Sequence, residues 1–202
     1  MTVKLYCEGG TEKGLRRLLQ PIREELRTRN LGLHIRTYEG VGQLLHKLPS
    51  ATRDSLSTGA RAVFALVDLH GAPVSFPNPR APARQRADWL REHLRTLIPE
   101  QYRNRFYPHV AVHELEAWIL ADPSGLRERL KTSSLPSWPH PECVNDTTPP
   151  SDVLNGLFRA RLKIRYAKIK EGVPLLEKLN LDAVYKGCPS FQLFIDDLRR
   201  IR

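Results

Sequence analysis

The run ARAVFALVDL, residues 60–69, constrains the fold more than any other stretch of the sequence. Its apolar residues are almost continuous, interrupted only by Arg61 and Asp68. A strand with one face in water alternates apolar and polar residues, whereas a parallel strand covered on both faces does not. The run therefore predicts a central strand in a mostly parallel sheet flanked by helices, which is an α/β fold.

Shorter strand and helix patterns alternate on either side of this run. Apolar residues recur at helical spacing in residues 11–30, 42–56 and 84–98. Residues 3–7, 33–39 and 105–113 have strand patterns. Pro21 is expected to kink or split the first helix, and a break is expected near Pro49 in the second.

The strand patterns stop after Asp122. A proline-rich stretch, SSLPSWPHPECVNDTTPP, then leads into short helices rich in lysine and arginine. We expect it to be a fixed loop over the sheet rather than a linker, because Trp138 and Val144 need somewhere to pack. We therefore predict an α/β core over residues 1–122, with a loop and a helical, basic portion over residues 123–202 packed on it.

Acidic residues follow three of the predicted strands. The carboxyl ends of parallel strands share one edge of the sheet, and ligands of such sheets bind beyond that edge. Carboxylate oxygens there suit Mg²⁺, which keeps several waters and needs only two or three protein ligands. The residues are Glu8 with Glu12 one helical turn later, Asp68 followed by His70, and His113 with Glu114 and Glu116.

Each of these residues also has a purely structural interpretation. Glu12 would favour the dipole of a helix in its first turn, and Asp68 could cap a turn. Glu114 and Glu116 share a face only if the strand continues through them; if a helix begins at Glu114, only one of them reaches the site. His70 could be an ordinary surface residue.

The charge of the chain favours a polyanionic partner. Lysine and arginine outnumber aspartate and glutamate by 32 to 22, and the isoelectric point is about 9.8. The run RARLKIRYAKIK could lie along a phosphate backbone as one face of a helix or strand, or be a solvated amphipathic face. Its Tyr166 could stack on a base or be buried. Candidate nucleic-acid ligands are Gly9, Gly10, Lys13, Arg80, Arg84, Arg161, Lys163, Arg165 and Lys168.

Other classes of protein lack support in the sequence. No run of 18 apolar residues predicts a membrane span, and the first residues lack the apolar region of a signal peptide. Cys7, Cys143 and Cys188 form neither a disulfide framework nor a zinc motif, so we expect a reduced, cytoplasmic protein. A Walker P-loop and a GxGxxG motif are also absent, which argues against an ATPase or a dinucleotide enzyme.

Several segments resemble known families. EGGTE after the first strand resembles the glutamate motif of TOPRIM domains, the metal-binding modules of topoisomerases, primases and overcoming-lysogenization-defect (OLD) nucleases. VDLHG lies where those domains carry Asp-x-Asp. The whole chain resembles the bacterial family called domain of unknown function 4276. The matching segments are CEGGTEKGL, LVDLHGAPVSFP, RFYPHVAVHELEAWILADP, PECVND, PPSDVL, YAKIKEGVPLLEKL and KGCPSFQLFIDDL.

The resemblance implies a TOPRIM-like, Rossmann-like sheet and a site for Mg²⁺ or Mn²⁺. The expected metal ligands are Glu8, Asp68, His70, Glu114 and Glu116. The second aspartate of Asp-x-Asp is His70 here, and Ser190 stands where the family often has a histidine, so the number of metal ions stays open.

The activity implied by the resemblance is metal-dependent phosphodiester hydrolysis. The expected catalytic residues are Glu8, Glu12, Asp68, Glu116 and Lys168, with a raised pKa suiting Glu8 or Glu12 for proton transfer. We expect a nucleic-acid substrate, DNA in preference to RNA, and an ATPase partner in a bacterial defence or mobile-element system. Homo-oligomerisation stays open. The alternative is a non-catalytic nucleic-acid-binding or assembly subunit.

Overall fold

The computed structural model describes residues 1–9, 12–112, 115–146 and 148–202, without the side chains of residues 12, 13 and 144–146. Four strands form one parallel sheet in the order β2-β1-β3-β4. They are β1 (Thr2–Glu8), β2 (Gly32–Tyr38), β3 (Ala60–Asp68) and β4 (Phe106–Ala111). The predicted α/β class with a parallel sheet is confirmed.

The central strand prediction is confirmed by the burial of β3. Eight of its nine residues are buried, and it pairs with β1 on one side and β4 on the other. The outer strand β4 contains Pro108, which lacks the amide hydrogen that a central strand would need. The strand order reverses between β1 and β3, so their carboxyl ends form the switch point where ligands of such sheets bind.

Helices cover both faces of the sheet. Five of them lie among the strands: α1 (Glu12–Leu18), α2 (Gln20–Arg27), α3 (Gly40–Ser57), α4 (Ala83–Thr96) and α5 (Glu100–Arg103). The chain splits between α1 and α2, and Pro21 lies in the first turn of α2. The break predicted near Pro49 is wrong, because α3 continues through it. Its buried stripe of Leu44, Leu48, Thr52 and Leu56 favours an unbroken helix despite the lost hydrogen bond.

The C-terminal portion contains helices α6 (Glu116–Ala121), α7 (Ser124–Leu130), α8 (Pro150–Leu162), α9 (Val173–Glu177), α10 (Leu181–Gly187) and α11 (Pro189–Arg200). A 3₁₀ helix (Pro141–Asp146) and one π-helical turn (Lys168–Gly172) lie between them. Residues of α6–α11 share a hydrophobic core with α1, α2 and one sheet face; α3 and α4 cover the other face. A division of the chain at Asp122 stays a prediction.

The basic run of residues 159–170 is not one regular element, contrary to the sequence-based interpretation. Helix α8 ends at Leu162, Lys163 adopts a left-handed conformation with φ of 60°, and the chain enters the π-helical turn at Lys168. Among the described residues, no helix has both the length and the apolar character required to span a bilayer.

Candidate active site at the carboxyl edge of the sheet

Two of the predicted acidic residues end neighbouring strands at the switch point. Glu8 is the last residue of β1, and Asp68 is the last residue of β3; the strands are in register at Cys7 and Leu66. Asp68 is only 6% exposed, and Glu8 is half-buried. Both line a small cavity together with Gly9, Leu115 and Lys168.

The third acidic residue comes from the start of α6. Helix α6 begins at Glu116, which directly follows Leu115 and is 2% exposed. The Tyr166 hydroxyl donates a hydrogen bond to Glu116 Oε1 over 3.2 Å. Glu114 and His113 lie outside the described residues.

Lys168 joins the acidic residues. Its ammonium donates a hydrogen bond of 2.9 Å to Asp68 Oδ2 and lies 3.7 Å from Glu116 Oε2. Burial lowers the pKa of Lys168, but the attraction of Asp68, Glu116 and Glu8 outweighs this and raises the pKa above its ordinary value. Lys168 therefore stays charged at neutral pH and cannot act as a general base. We refer to Glu8, Asp68, Glu116 and Lys168 as the acidic centre.

The π-helical turn holds Lys168 in place. Glu171, 4% exposed, accepts hydrogen bonds of 2.8 and 3.0 Å from Nε and Nη2 of Arg129 on α7. Just before the turn, the Tyr166 amide donates to Asn155 Oδ1 on α8. A side chain at Gly172 would collide with the Tyr166 hydroxyl. Contacts made by the residues before and after Lys168 in the chain therefore fix the position of the Lys168 backbone.

Gly9 shapes the loop after β1. Its amide donates a 2.7 Å hydrogen bond to the Tyr38 carbonyl at the end of β2. A β-carbon at Gly9 would lie 2.8 Å from that oxygen, closer than real contacts allow. Only glycine therefore permits this close approach of β1 and β2.

The other predicted site residues fall into two groups. Gly10 and the side chains of Glu12 and Lys13 lie outside what the structure describes. His70 is exposed in the turn after β3. Arg80, Arg84, Arg161, Lys163 and Arg165 are exposed as well. Arg161, Lys163 and Arg165 directly precede Lys168, so positive charge borders the acidic centre.

Sequence reasoning missed the supporting contacts. The sequence predicts Tyr166 only as a stacking or a buried ring, and no local pattern indicates its hydrogen bond to Glu116. The predicted site does not include Glu171, whose position as a lone acidic residue beside a lysine-rich run is a sign of a specific partner. Its partner Arg129 lies 42 residues away in the chain, so no local pattern indicates the pair.

The donor set suits a hard cation by its chemistry. Carboxylate oxygens are the ligands that Mg²⁺ and Mn²⁺ prefer, and the acidic centre brings three carboxylates around one cationic group. In the structure, the Lys168 ammonium contacts two of these carboxylates. Within the described part of the chain, no three histidine, cysteine, aspartate or glutamate side chains are already arranged to hold a metal ion.

Comparison with known proteins identifies the family. The chain is similar to the C-terminal region of the Burkholderia pseudomallei OLD protein, with 17% sequence identity, 98% of this chain and 96% of that chain covered, and a TM-score of 0.49. No curated protein matches the sequence. The family described as Domain of unknown function (DUF4276) matches residues 7–199. The chain therefore belongs to this family, as its sequence segments indicated.

Proposed function

We propose that this protein is a divalent-metal-dependent nuclease that hydrolyses phosphodiester bonds at the acidic centre. The observation that carries the proposal is the Lys168 ammonium held by Asp68 and Glu116 beside Glu8, at the switch point of a parallel sheet. The resemblance of EGGTE and VDLHG to TOPRIM motifs supports the same chemistry.

Formal charge explains why such a site would need a metal. Taken by themselves, the three carboxylates and one ammonium of the acidic centre carry more negative than positive formal charge, which favours a further cation when a phosphodiester binds. Glu8, Asp68 and Glu116 are the residues that would hold Mg²⁺ or Mn²⁺. When bound, such an ion neutralises this charge, polarises a phosphate oxygen and lowers the pKa of a coordinated water.

The side chains of the acidic centre and the residues next to it would have separate roles in the reaction. Glu8 is half-buried and reaches solvent, so it can accept the proton of the water that attacks phosphorus. The bond from phosphorus to the leaving oxygen breaks, and that oxygen takes a proton from solvent. Lys168 keeps its proton and donates hydrogen bonds to the phosphate, which stabilises the negative charge of the transition state. Tyr166 positions the carboxylate of Glu116. Arg161, Lys163 and Arg165 bind the nucleic-acid backbone next to the acidic centre.

The biological setting belongs to the same proposal. The TOPRIM resemblance favours a cytoplasmic component of a bacterial defence or mobile-element system, working with an ATPase partner on DNA. A second function, a non-catalytic binding or assembly subunit, is favoured by one observation: Lys168 already pairs with the carboxylates that a metal would use. In that case the ion pair would be purely structural.

The test is cleavage of plasmid DNA, linear DNA and RNA in EDTA, Mg²⁺ or Mn²⁺. Glu8→Ala and Asp68→Ala are compared with Asp54→Ala, an exposed carboxylate paired with Arg53. We expect metal-dependent cleavage that falls at least about a hundredfold in the first two variants only. Cleavage that survives in EDTA or in both variants contradicts the proposal, and the absence of both cleavage and calorimetric metal binding favours the non-catalytic subunit.

A further inference from the structure

A second cavity, of about 160 Å³, lies beside the outer strand β4. It is enclosed by α4, the 3₁₀ helix and the start of α11, and its apolar wall includes Ala87, Val110, Val112 and Leu193. Two segments that the acidic centre leaves unexplained, PECVND and KGCPSF, also contribute to its lining. The cavity is therefore a distinct feature of the fold.

A buried histidine with an open hydrogen-bonding atom lines this cavity. His109 is 2% exposed, and its Nε2 lies 3.4 Å from Asp197 Oδ2. Its Nδ1 is buried and has no hydrogen-bond partner in the part of the chain that the structure describes. Burial lowers the pKa of His109, so the ring is neutral and can donate from one nitrogen while accepting at the other. A buried polar atom of this kind is costly unless a ligand or water satisfies it.

A buried carboxyl group lines the cavity as well. Glu142, 8% exposed, accepts hydrogen bonds from the amide and the hydroxyl of Ser190. Burial raises the pKa of Glu142, although the Ser190 bonds and Arg84 act against this. The cavity thus combines apolar walls with two polar groups that are both shifted toward their uncharged forms.

Two arginines add positive charge to the lining. Arg84 is exposed, and Arg91 is half-buried with its Nη2 3.2 Å from Asp88 Oδ1. Both lie on α4 and line the cavity. A ligand with an apolar ring and an attached anion would match the apolar walls and these guanidinium groups together.

We propose that this cavity binds a nucleobase, with the attached phosphate against Arg84 and Arg91. Its volume is close to that of an engineered cavity of about 150 Å³ that admits benzene, a ring of pyrimidine size. The edge of a base carries hydrogen-bond donors and acceptors, which His109 and Glu142 can pair with in the way that proteins read an extruded base.

The cavity lies close to the acidic centre along the chain. Val112 lines the cavity, and Leu115 lines the small cavity of Glu8 and Asp68. Three peptide links separate them, so their Cα atoms are at most about 11 Å apart. A strand bound at the acidic centre can therefore place a neighbouring base in the cavity. This use of the cavity rests on the proposed function; the binding of a free nucleotide would use the same base and phosphate contacts.

The first experiment is calorimetric titration of the full chain with the four ribonucleoside 5′-monophosphates and with ribose 5-phosphate, all in EDTA. We expect at least one nucleotide to bind at one site about tenfold or more tightly than ribose 5-phosphate, because only the nucleotide carries a base. Metal-free binding tests the cavity alone, whereas cleavage tests the acidic centre alone, so either proposal can fail without the other.

Two substitutions test whether the nucleotide binds in this cavity. His109→Phe keeps a ring but removes both nitrogens, and Leu193→Trp fills the cavity from a half-exposed position. Each should weaken nucleotide binding about tenfold or more, while Arg95→Ala, on α4 with Arg84 and Arg91 but outside the cavity lining, should not. Circular dichroism shows whether each variant is folded. One folded variant of the two is enough to test whether the cavity binds the nucleotide.

A second titration separates the two sources of the base. Short single strands with a non-hydrolysable backbone, with and without one abasic position, are compared in Mg²⁺, because a bound ion offsets the negative charge of the acidic centre. Weaker binding of the abasic strand assigns the cavity to a base within the substrate, and equal binding assigns it to a free nucleotide. The proposal is overturned if no nucleotide binds more tightly than ribose 5-phosphate, or if His109→Phe and Leu193→Trp bind as the unmodified chain does.

Discussion

At the scale of single residues, Gly172 supports the acidic centre because it leaves space for the side chain of Tyr166. The Tyr166 hydroxyl lies beside the Cα of Gly172, and from this position it donates a hydrogen bond to Glu116. Gly172→Ala should displace Tyr166, break its bond to Glu116 and lower the free energy of unfolding by about 1–3 kcal/mol. Urea denaturation measures the change.

Gly156 provides the matched control for that substitution. It lies in α8 with open space around its Cα, so Gly156→Ala should raise the free energy of unfolding by about 0.5–1 kcal/mol. Equal effects of the two substitutions would contradict a specific contact between Gly172 and Tyr166.

Lys168 permits a second residue-scale prediction. Lys168→Met removes the ammonium that contacts Asp68 and Glu116, whose side chains are 7% and 3% exposed. Because the Lys168 side chain is 36% exposed, solvent screening limits the expected loss to about 1–2 kcal/mol. Mg²⁺ should raise the melting temperature of the variant more than that of the unmodified chain, since the ion no longer competes with an ammonium.

The control for Lys168→Met is Lys178→Met, which removes an exposed pair with Glu128. We expect this control to change stability by less than about 0.5 kcal/mol and to leave the response to Mg²⁺ unaltered. A Mg²⁺ response that is the same in all three proteins would argue against a metal site at the acidic centre.

At the scale of elements, the π-helical turn depends on its anchor to α7. Arg129→Met should leave Glu171 buried without a cation, at a cost of about 2 kcal/mol because Arg129 itself is 40% exposed. Amides of residues 166–172 should exchange hydrogen faster than in the unmodified chain. The double variant with Glu171→Met should recover part of the loss, because it leaves no unpaired buried charge; the absence of any recovery would contradict the anchor.

The sequence predicted the elements whose patterns are local. The continuous apolar run of β3 and the alternation around it were enough for four strands, for the two helices near Pro21 and for α4. The interpretation failed at Pro49, because burial of one stripe of α3 against the sheet outweighed a local helix-breaking signal. It also failed for the basic run, whose path is set by partners on α7 and α8 rather than by its own periodicity.

At the scale of the molecule, the formal net charge of +10 predicts salt-dependent binding of nucleic acid. The double variant Arg161→Ala, Arg165→Ala should lower the magnitude of the slope of log K against log salt by about 2 if both residues contact phosphates. Its control is Arg53→Ala, Arg95→Ala, near the C-terminal ends of α3 and α4. Equal slopes for the two double variants, measured by fluorescence anisotropy, would exclude a backbone contact at residues 161–165.

The pH dependence of stability is also a property of the whole chain. The folded pKa of His109 is lowered by burial, so the unfolded chain, with a histidine pKa of about 6.5, binds more protons. This contribution destabilises the fold as the pH falls through that value. Glu142 acts in the opposite direction, because its raised pKa makes the folded chain bind more protons.

Chemical denaturation at pH 7.5 and 5.5 tests the sign for His109. The unmodified chain should lose more stability between these pH values than His109→Phe does, since the variant has no imidazole to protonate on unfolding. A larger loss in His109→Phe would contradict a lowered pKa in the folded state. Ser190→Ala, which changes the surroundings of Glu142 but not those of His109, serves as a control for the rest of the cavity.

The sequence by itself determined the sheet, its buried central strand and the delivery of Glu8 and Asp68 to one edge, because these follow from patterns within a few residues and from the geometry of parallel strands. Only the tertiary structure decided that Lys168 meets Asp68 across 100 residues of chain and that Tyr166 meets Glu116 across 50. The physical reason is that ion pairs and buried hydrogen bonds depend on how the C-terminal helices pack on the sheet. No local periodicity encodes that packing.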